Sequence, residues 1–288
     1  MRRVLQGVAG VLALLIVALA GQHLRLGATE ALPPRDDSLL RVGSFNVHYI
    51  VLGSGDGRWS EAGWQARRGA VDAAFKTLEA DIVAFQEMES FQRGSDGSRN
   101  LARDFLLAQN PEYAVAASGD WRSFPSTQPV FYRKDRVTPE DQGWFFFSET
   151  PDVIYSRTFN GSYPAFASWV RFATPQGPVT VVNLHMDAFI RDNRRRSIAL
   201  VAKRIAPMLG LVPVIVAGDF NALAGSPLLR PLRQQGLVFP RAKASFHFDR
   251  GLHLFGAKDH IGFAGLAAVR GPYVVQGRFD GTFPADHY

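Results

Sequence analysis

The chain has 288 residues, of which 47% are hydrophobic, 20% are charged and none is cysteine, and its formal net charge is +6. A sizeable core is available, while disulfides, thiolate metal sites and a cysteine nucleophile are excluded, so any metal must rest on oxygen and imidazole ligands. The modest basic excess suits a phosphate-bearing partner such as nucleic acid or anionic lipid, and suits a plain solvated surface equally well.

Arg2-Arg3 precedes an apolar run from Val8 to about Ala20, followed by Gly21-Gln22-His23. This is the pattern of an export signal or a membrane anchor. Ala18-Leu19-Ala20 offers small residues for cleavage, whereas Leu24 and Leu26 lengthen the run towards a retained span. The preceding arginines argue against a buried core helix. Residues 1–26 are therefore read as signal or anchor, 27–38 with Pro33-Pro34 as a linker, and 39–288 as one domain, exported or held at a membrane.

Apolar runs of strand length recur at 40–47, 81–85, 130–132, 166–172, 179–184 and 214–217, several of them apolar on both sides, as strands covered on both faces should be. Helical periodicity lies between them at 64–78, 101–109, 194–206 and 227–235. The alternation predicts an α/β domain with mixed sheets.

Polar residues fall where these strands end: Asn46 after Ser44-Phe45, Glu87 after Phe85-Gln86, Asn183-Leu184-His185, and Asp219-Phe220-Asn221. A carboxylate at the end of a buried strand is costly unless it is paired, hydrogen-bonded or bound to a cation. One such acid is ordinarily a cap; four such strand ends in one chain point to a shared site. Asp259-His260 and Asp286-His287 add two acid–imidazole pairs. Neighbours on a strand face opposite ways, so the pairs are expected to exchange partners, with Asp259 orienting His287 and Asp286 free for another role.

In this order the motifs Ser-Phe-Asn-Val (44–47), Phe-Gln-Glu (85–87), Asn-Leu-His (183–185), Gly-Asp-Phe-Asn-Ala (218–222), Asp-His-Ile (259–261) and Asp-His-Tyr (286–288) resemble the endonuclease/exonuclease/phosphatase superfamily. The resemblance implies a four-layer α/β sandwich, two mixed sheets face to face with helices outside, and hydrolysis of phosphoesters with Mg²⁺, or Mn²⁺ in its place. It implies Glu87 as principal metal ligand with Asn46 and Asp286 at the metal, Asp219 as the group that activates water, and Asn221 at the scissile phosphate. It further implies His185 and His287 on phosphate oxygens, with Asp259 behind His287. Family members continue past the last pair, whereas Tyr288 ends this chain, so a loosely held His287 is expected.

The expected substrate is DNA or RNA, cleaved by a nuclease-like phosphodiesterase. The alternative is a phosphatase or phospholipase C-type reaction on a phosphorylated lipid headgroup, which the N-terminal segment favours. An inactive tethered binding module would lack the metal and water-activating residues, and these are present. Arg194-Arg195-Arg196 reads as a solvated helix face, Trp144-Phe145-Phe146-Phe147 as a core strand, and His247 and His253 as exposed loop histidines.

Overall fold

The computed structural model describes residues 2–27, 31–92 and 99–288. A helix, α1 (Arg2–Leu26), comes first; residues 28–30 of the expected linker lie outside the described residues. The body opens with β1 (Val42–Asn46), β2 (Ile50–Val51), α2 (Glu61–Leu78), β3 (Ile82–Gln86), β4 (Ser90–Phe91) and α3 (Leu101–Gln109). It continues through β5 (Tyr113–Ala116), β6 (Val130–Arg133), β7 (Thr138–Phe146), β8 (Phe166–Ala173), β9 (Val179–His185) and α4 (Arg191–Leu209). After β10 (Val214–Asp219) a 3₁₀ turn at Pro227–Leu229 leads into α5 (Arg230–Gln234), and β11 (Asp259–Ala264) follows.

Beside a small parallel pair of β2 and β4, two main sheets have the orders β1-β3-β6-β5 and β11-β10-β9-β8-β7. Both are mixed: β1 is parallel to β3 and β9 to β10, while the remaining pairs are antiparallel. The period of two decides what each face meets. Val83 and Phe85 of β3 pack outward on Trp64, Val71 and Phe75 of α2. Val182, Leu184, Val214 and Val216 pack outward on Ile198, Val201 and Ile205 of α4. Between the sheets, Ile82 and Val130 meet Val170, Phe172, Val181 and Ile215. The layers are therefore helix, sheet, sheet, helix.

The helix α2 begins three residues before the expected Trp64, because Ser60 caps it by accepting from the amide of Gly63 at 3.0 Å. The expected helix at 227–235 divides at Arg230, where the 3₁₀ turn gives way to α5. Strands β5 and β11 escape the hydropathy pattern, one because two of its four residues are alanine and the other because it opens on Asp259-His260.

Asp81, at the foot of β3, is buried. It accepts from Arg35 at 2.6 Å, Arg136 at 3.2 Å and the amide of Arg41 at 2.8 Å. Arg41 in turn holds the carbonyl of Pro33 at 2.8 Å. The body's contacts thus reach into the expected linker. Removing a buried charge from such a set strands its partners, so Asp81→Ala should lower the unfolding free energy by about 3 kcal/mol in chemical denaturation. A loss under about 1 kcal/mol would mean that water replaces the carboxylate without penalty.

Candidate active site

The same period of two assembles the polar residues. Since Phe45 and Val47 face α2, Asn46 faces the seam between the sheets, and by the same count Gln86, Asn183, His185, Asp219 and Asp259 turn inward at the same end. Register finishes the placement: Asp219 lies beside His185 on one side and Asp259 on the other, and Asn46 beside Gln86. Across the seam, Gln86 Nε2 donates to Asn183 Oδ1 at 2.7 Å, while Asn183 Nδ2 donates to the carbonyl of Phe85 at 2.7 Å. That bridge fastens one sheet to the other directly beneath the cluster.

Asp219 is at the centre. Its Oδ2 accepts from Asn46 Nδ2 at 3.4 Å and lies 3.7 Å from both His185 Nε2 and His287 Nε2. Asn46 Nδ2 also donates to Glu87 Oε1 at 3.1 Å, and His185 Nε2 is 3.7 Å from that same oxygen. On the far side His287 Nδ1 meets Asp259 Oδ2 at 2.8 Å. Asp259 therefore holds His287 and not its neighbour His260, which turns outward to Phe220 and Phe239 with Nε2 at 2.7 Å from the carbonyl of Ala222.

Electrostatics follow from burial. Burial pushes Asp219 up to about 6, with the charge of Asp259 adding to the rise and the two histidines opposing it. Burial alone would lower His287, but Asp259 and Asp219 outweigh it and hold the imidazole up at about 10. Asp259 is pulled below its ordinary range, because His287 and the hydroxyl of Ser245 overcome the cost of burial. The imidazolium therefore sits between two carboxylates.

His287 is not loosely held. Its side chain is almost fully buried, its backbone bridges Phe246, and the amide of Tyr288 donates to the carbonyl of Ser245 at 2.7 Å. This support comes from the segment before β11.

Asn221 stands just past β10 with left-handed backbone, its amide N–H on Asp219 Oδ1 at 2.8 Å and Nδ2 on the carbonyl of Met186 at 3.0 Å. Glu87 is also left-handed, and its Oε2 accepts from the amide of Tyr49 at 3.3 Å. Asp286 takes no part in the hydrogen bonds around Asp219; its charge and that of Glu87 both act on buried His48, whose imidazole is nevertheless lowered by burial. Asn46 Oδ1 is occupied by the amide of His48 at 3.1 Å.

Asp219, Asp259 and His287 offer ligand atoms within 4.8 Å of one another, with His287 Nδ1 already engaged by Asp259 Oδ2.

Several contributors carried no sequence signal. Arg67, buried in α2, donates to the carbonyls of Val47, His48 and Pro284 at 2.7, 2.8 and 2.9 Å, tying the end of β1 to the segment before Asp286. Ser245 donates to Asp259 Oδ2. Asp187 accepts from the amides of Phe189 and Ile190, both at 2.8 Å, and shapes the loop after His185. Trp59 lies over His48 with ring centroids 3.8 Å apart. His247, expected to be exposed, is buried between Phe283 and Tyr288. Among the arginines at 194–196, Arg195 pairs with Asp192 and Arg196 with Glu149. A separate apolar cleft of about 470 Å³ runs along β1 and touches the cluster only at Ser245 and Asp259.

The model of the Endonuclease/Exonuclease/phosphatase family matches residues 43–286. No curated protein matches the sequence significantly. Among solved structures, an endonuclease/exonuclease/phosphatase from Bacteroides vulgatus is similar at 23% identity and a TM-score of 0.68, over 85% of this chain and 94% of that one. A Bacteroides thetaiotaomicron mannosyl-6-phosphatase is similar at 22% identity and 0.64, over 86% and 97%. D. rerio TDP2 complexed with a single-strand DNA product is similar at 13% identity and 0.56, over 86% and 95%. At these identities the structures attest the fold.

Gly218 lets β9 and β10 close up before Asp219: its φ is +141° and an added Cβ would lie 1.9 Å from the carbonyl oxygen of Leu184. Gly218→Ala should therefore cost about 3 kcal/mol or more of stability. An unchanged denaturation midpoint would show that the two strands can part without loss.

Proposed function

The chain belongs to the endonuclease/exonuclease/phosphatase family, and we propose that its polar cluster hydrolyses a phosphoester by metal-assisted attack of water. The observation that carries this reading is Asp219, a buried carboxylate raised towards neutrality and flanked by His185 and His287. A base of that strength can take a proton from water at the pH where it works.

In this mechanism Asp219 accepts the proton of the attacking water as its oxygen bonds to phosphorus. Asn221 and His185 bind the phosphoryl oxygens, and His287, kept protonated by Asp259, donates towards the charge that develops as the bond to the leaving oxygen breaks. Glu87, with Asp286 and with Asn46 once its amide turns over, would hold Mg²⁺ or Mn²⁺. Such an ion, when bound, neutralises charge on the phosphoryl oxygens.

The sequence points first to a nuclease-like phosphodiesterase on DNA or RNA, and the DNA-product complex of TDP2 is a fold neighbour on that side. The second reading is a phosphatase or phospholipase C-type reaction on a phosphorylated lipid headgroup. One observation favours it: the apolar helix α1 ends against the segment that supports His287.

Hydrolysis should stop in EDTA and return with Mg²⁺ or Mn²⁺, and Glu87→Gln should need more Mg²⁺ for half-maximal rate. Turnover that persists undiminished in chelator would end the metal-assisted reading. Asp219→Asn keeps size and hydrogen bonding but removes the base, so kcat on the best substrate should fall about 10²-fold or more. If Asp219→Asn turned over normally while Asp259→Asn did not, the base would have to be assigned elsewhere in the cluster.

A further inference from the structure

The described part of α1 contains a 21-residue apolar stretch, Gln6–Leu26, exposed along most of its length with only Gln22, His23 and Leu26 half-buried. At 1.5 Å per residue it is about 31 Å long, the thickness of a bilayer's hydrocarbon core. Its last turn is nevertheless fastened to the body. The carbonyl of Leu26 accepts from the amide of Ala244 at 3.1 Å and from Gln276 at 3.2 Å, and that of Arg25 accepts from Lys243 at 2.9 Å. The ring of His23 stacks on His253 with centroids 4.6 Å apart and accepts from the amide of His253 at 3.1 Å.

The segment that receives the helix also supports the catalytic cluster. Ala244 takes the helix end, and the next residue, Ser245, bonds Asp259. Phe246 bridges His287, the amide of His247 donates to the carbonyl of Asp286, and His253 reaches the hydroxyl of Tyr288 at 3.1 Å. Between these contacts the segment exposes Phe248, Leu252 and Phe255, the last by 49%. Exposed aromatic and aliphatic side chains beside basic Lys243 and Arg250 have the composition of a bilayer-interface surface.

We infer that α1 is retained as an anchor and that residues 243–255 lie on the bilayer surface, so that the cleft receives the phosphoester of a lipid headgroup. The substrate class rests on the hydrolytic reading above; the docking does not. A helix serving only as a cleaved export signal needs no bonds to the folded body, whereas a retained one fixes the height and tilt of the cleft above the lipid. The other exit for α1's apolar surface, burial in a protein core, is closed by its exposure along the body.

The absence of cysteine makes the test clean. Single cysteines at Leu252 and Phe255, and at Gln109 in the outer helix α3 as control, are spin-labelled in the full chain reconstituted into phosphatidylcholine–phosphatidylglycerol vesicles. Labels at 252 and 255 should be more accessible to oxygen than to a water-soluble nickel complex, and the label at 109 the reverse. The same aqueous profile at all three positions would overturn the docking, as would a membrane-isolated protein whose N-terminus begins near Gly21.

For the substrate, Leu252→Asp with Phe255→Asp should slow release of headgroup phosphate from vesicle lipid about tenfold, while hydrolysis of soluble bis(p-nitrophenyl) phosphate stays unchanged. Faster cleavage of DNA than of vesicle lipid by the unsubstituted chain would overturn the lipid assignment. If that chain cleaved no phosphoester with Mg²⁺ while the labels still reported lipid contact, the hydrolytic reading, and the lipid substrate with it, would fail and the docking would stand.

Discussion

Two carboxylates buried in one seam require a positive charge between them, and the fold supplies it as His287. Asp219 and Asp259 face each other across the β10–β11 register, and burying either without compensation would cost several kcal/mol. Much of the surrounding architecture serves to hold the imidazole there. Ser245 fixes the carboxylate behind it, Phe246 bridges its backbone, and Arg67 pins the carbonyl of Pro284 three residues earlier. The cluster is thus a charge balance first, and its chemistry follows from the balance.

The strand ends were legible in the sequence because acids and amides interrupt apolar runs there, and because side chains alternate across a strand. Alternation was enough to separate Asp259 from His260 and to pair Asp259 with His287. The two-sheet, four-layer arrangement was legible through family resemblance, since apolar runs name strands but not the sheet each one joins. What stayed hidden depends on distant contacts. Arg67 looks like any helical arginine until three carbonyls converge on it, and Ser245 sits in a segment without hydropathy pattern. His247 had the neighbours of a loop residue, yet Phe283 and Tyr288, more than thirty positions later, enclose it.

The two halves of the cluster are built differently. Around Asp259 and His287 the two groups are enclosed and bonded to each other, which suits groups that must keep one protonation state. Towards Glu87 the contacts are lighter: one backbone amide, from Tyr49, one side-chain amide, from Asn46, and the imidazole of His185 at 3.7 Å. The Gln86–Asn183 bridge lies under both halves and keeps the two sheets from sliding relative to one another.

Gly218 gives the site an uneven capacity for change over generations. Any codon replacement there puts a Cβ into the carbonyl of Leu184, so the strand that presents Asp219 has no neutral neighbours in sequence space. The loops are different: Phe189, after β9, is 87% exposed, and replacing it disturbs little of the packed interior. Descendants of this chain would therefore keep the strand that presents Asp219 and diversify in the loops around it.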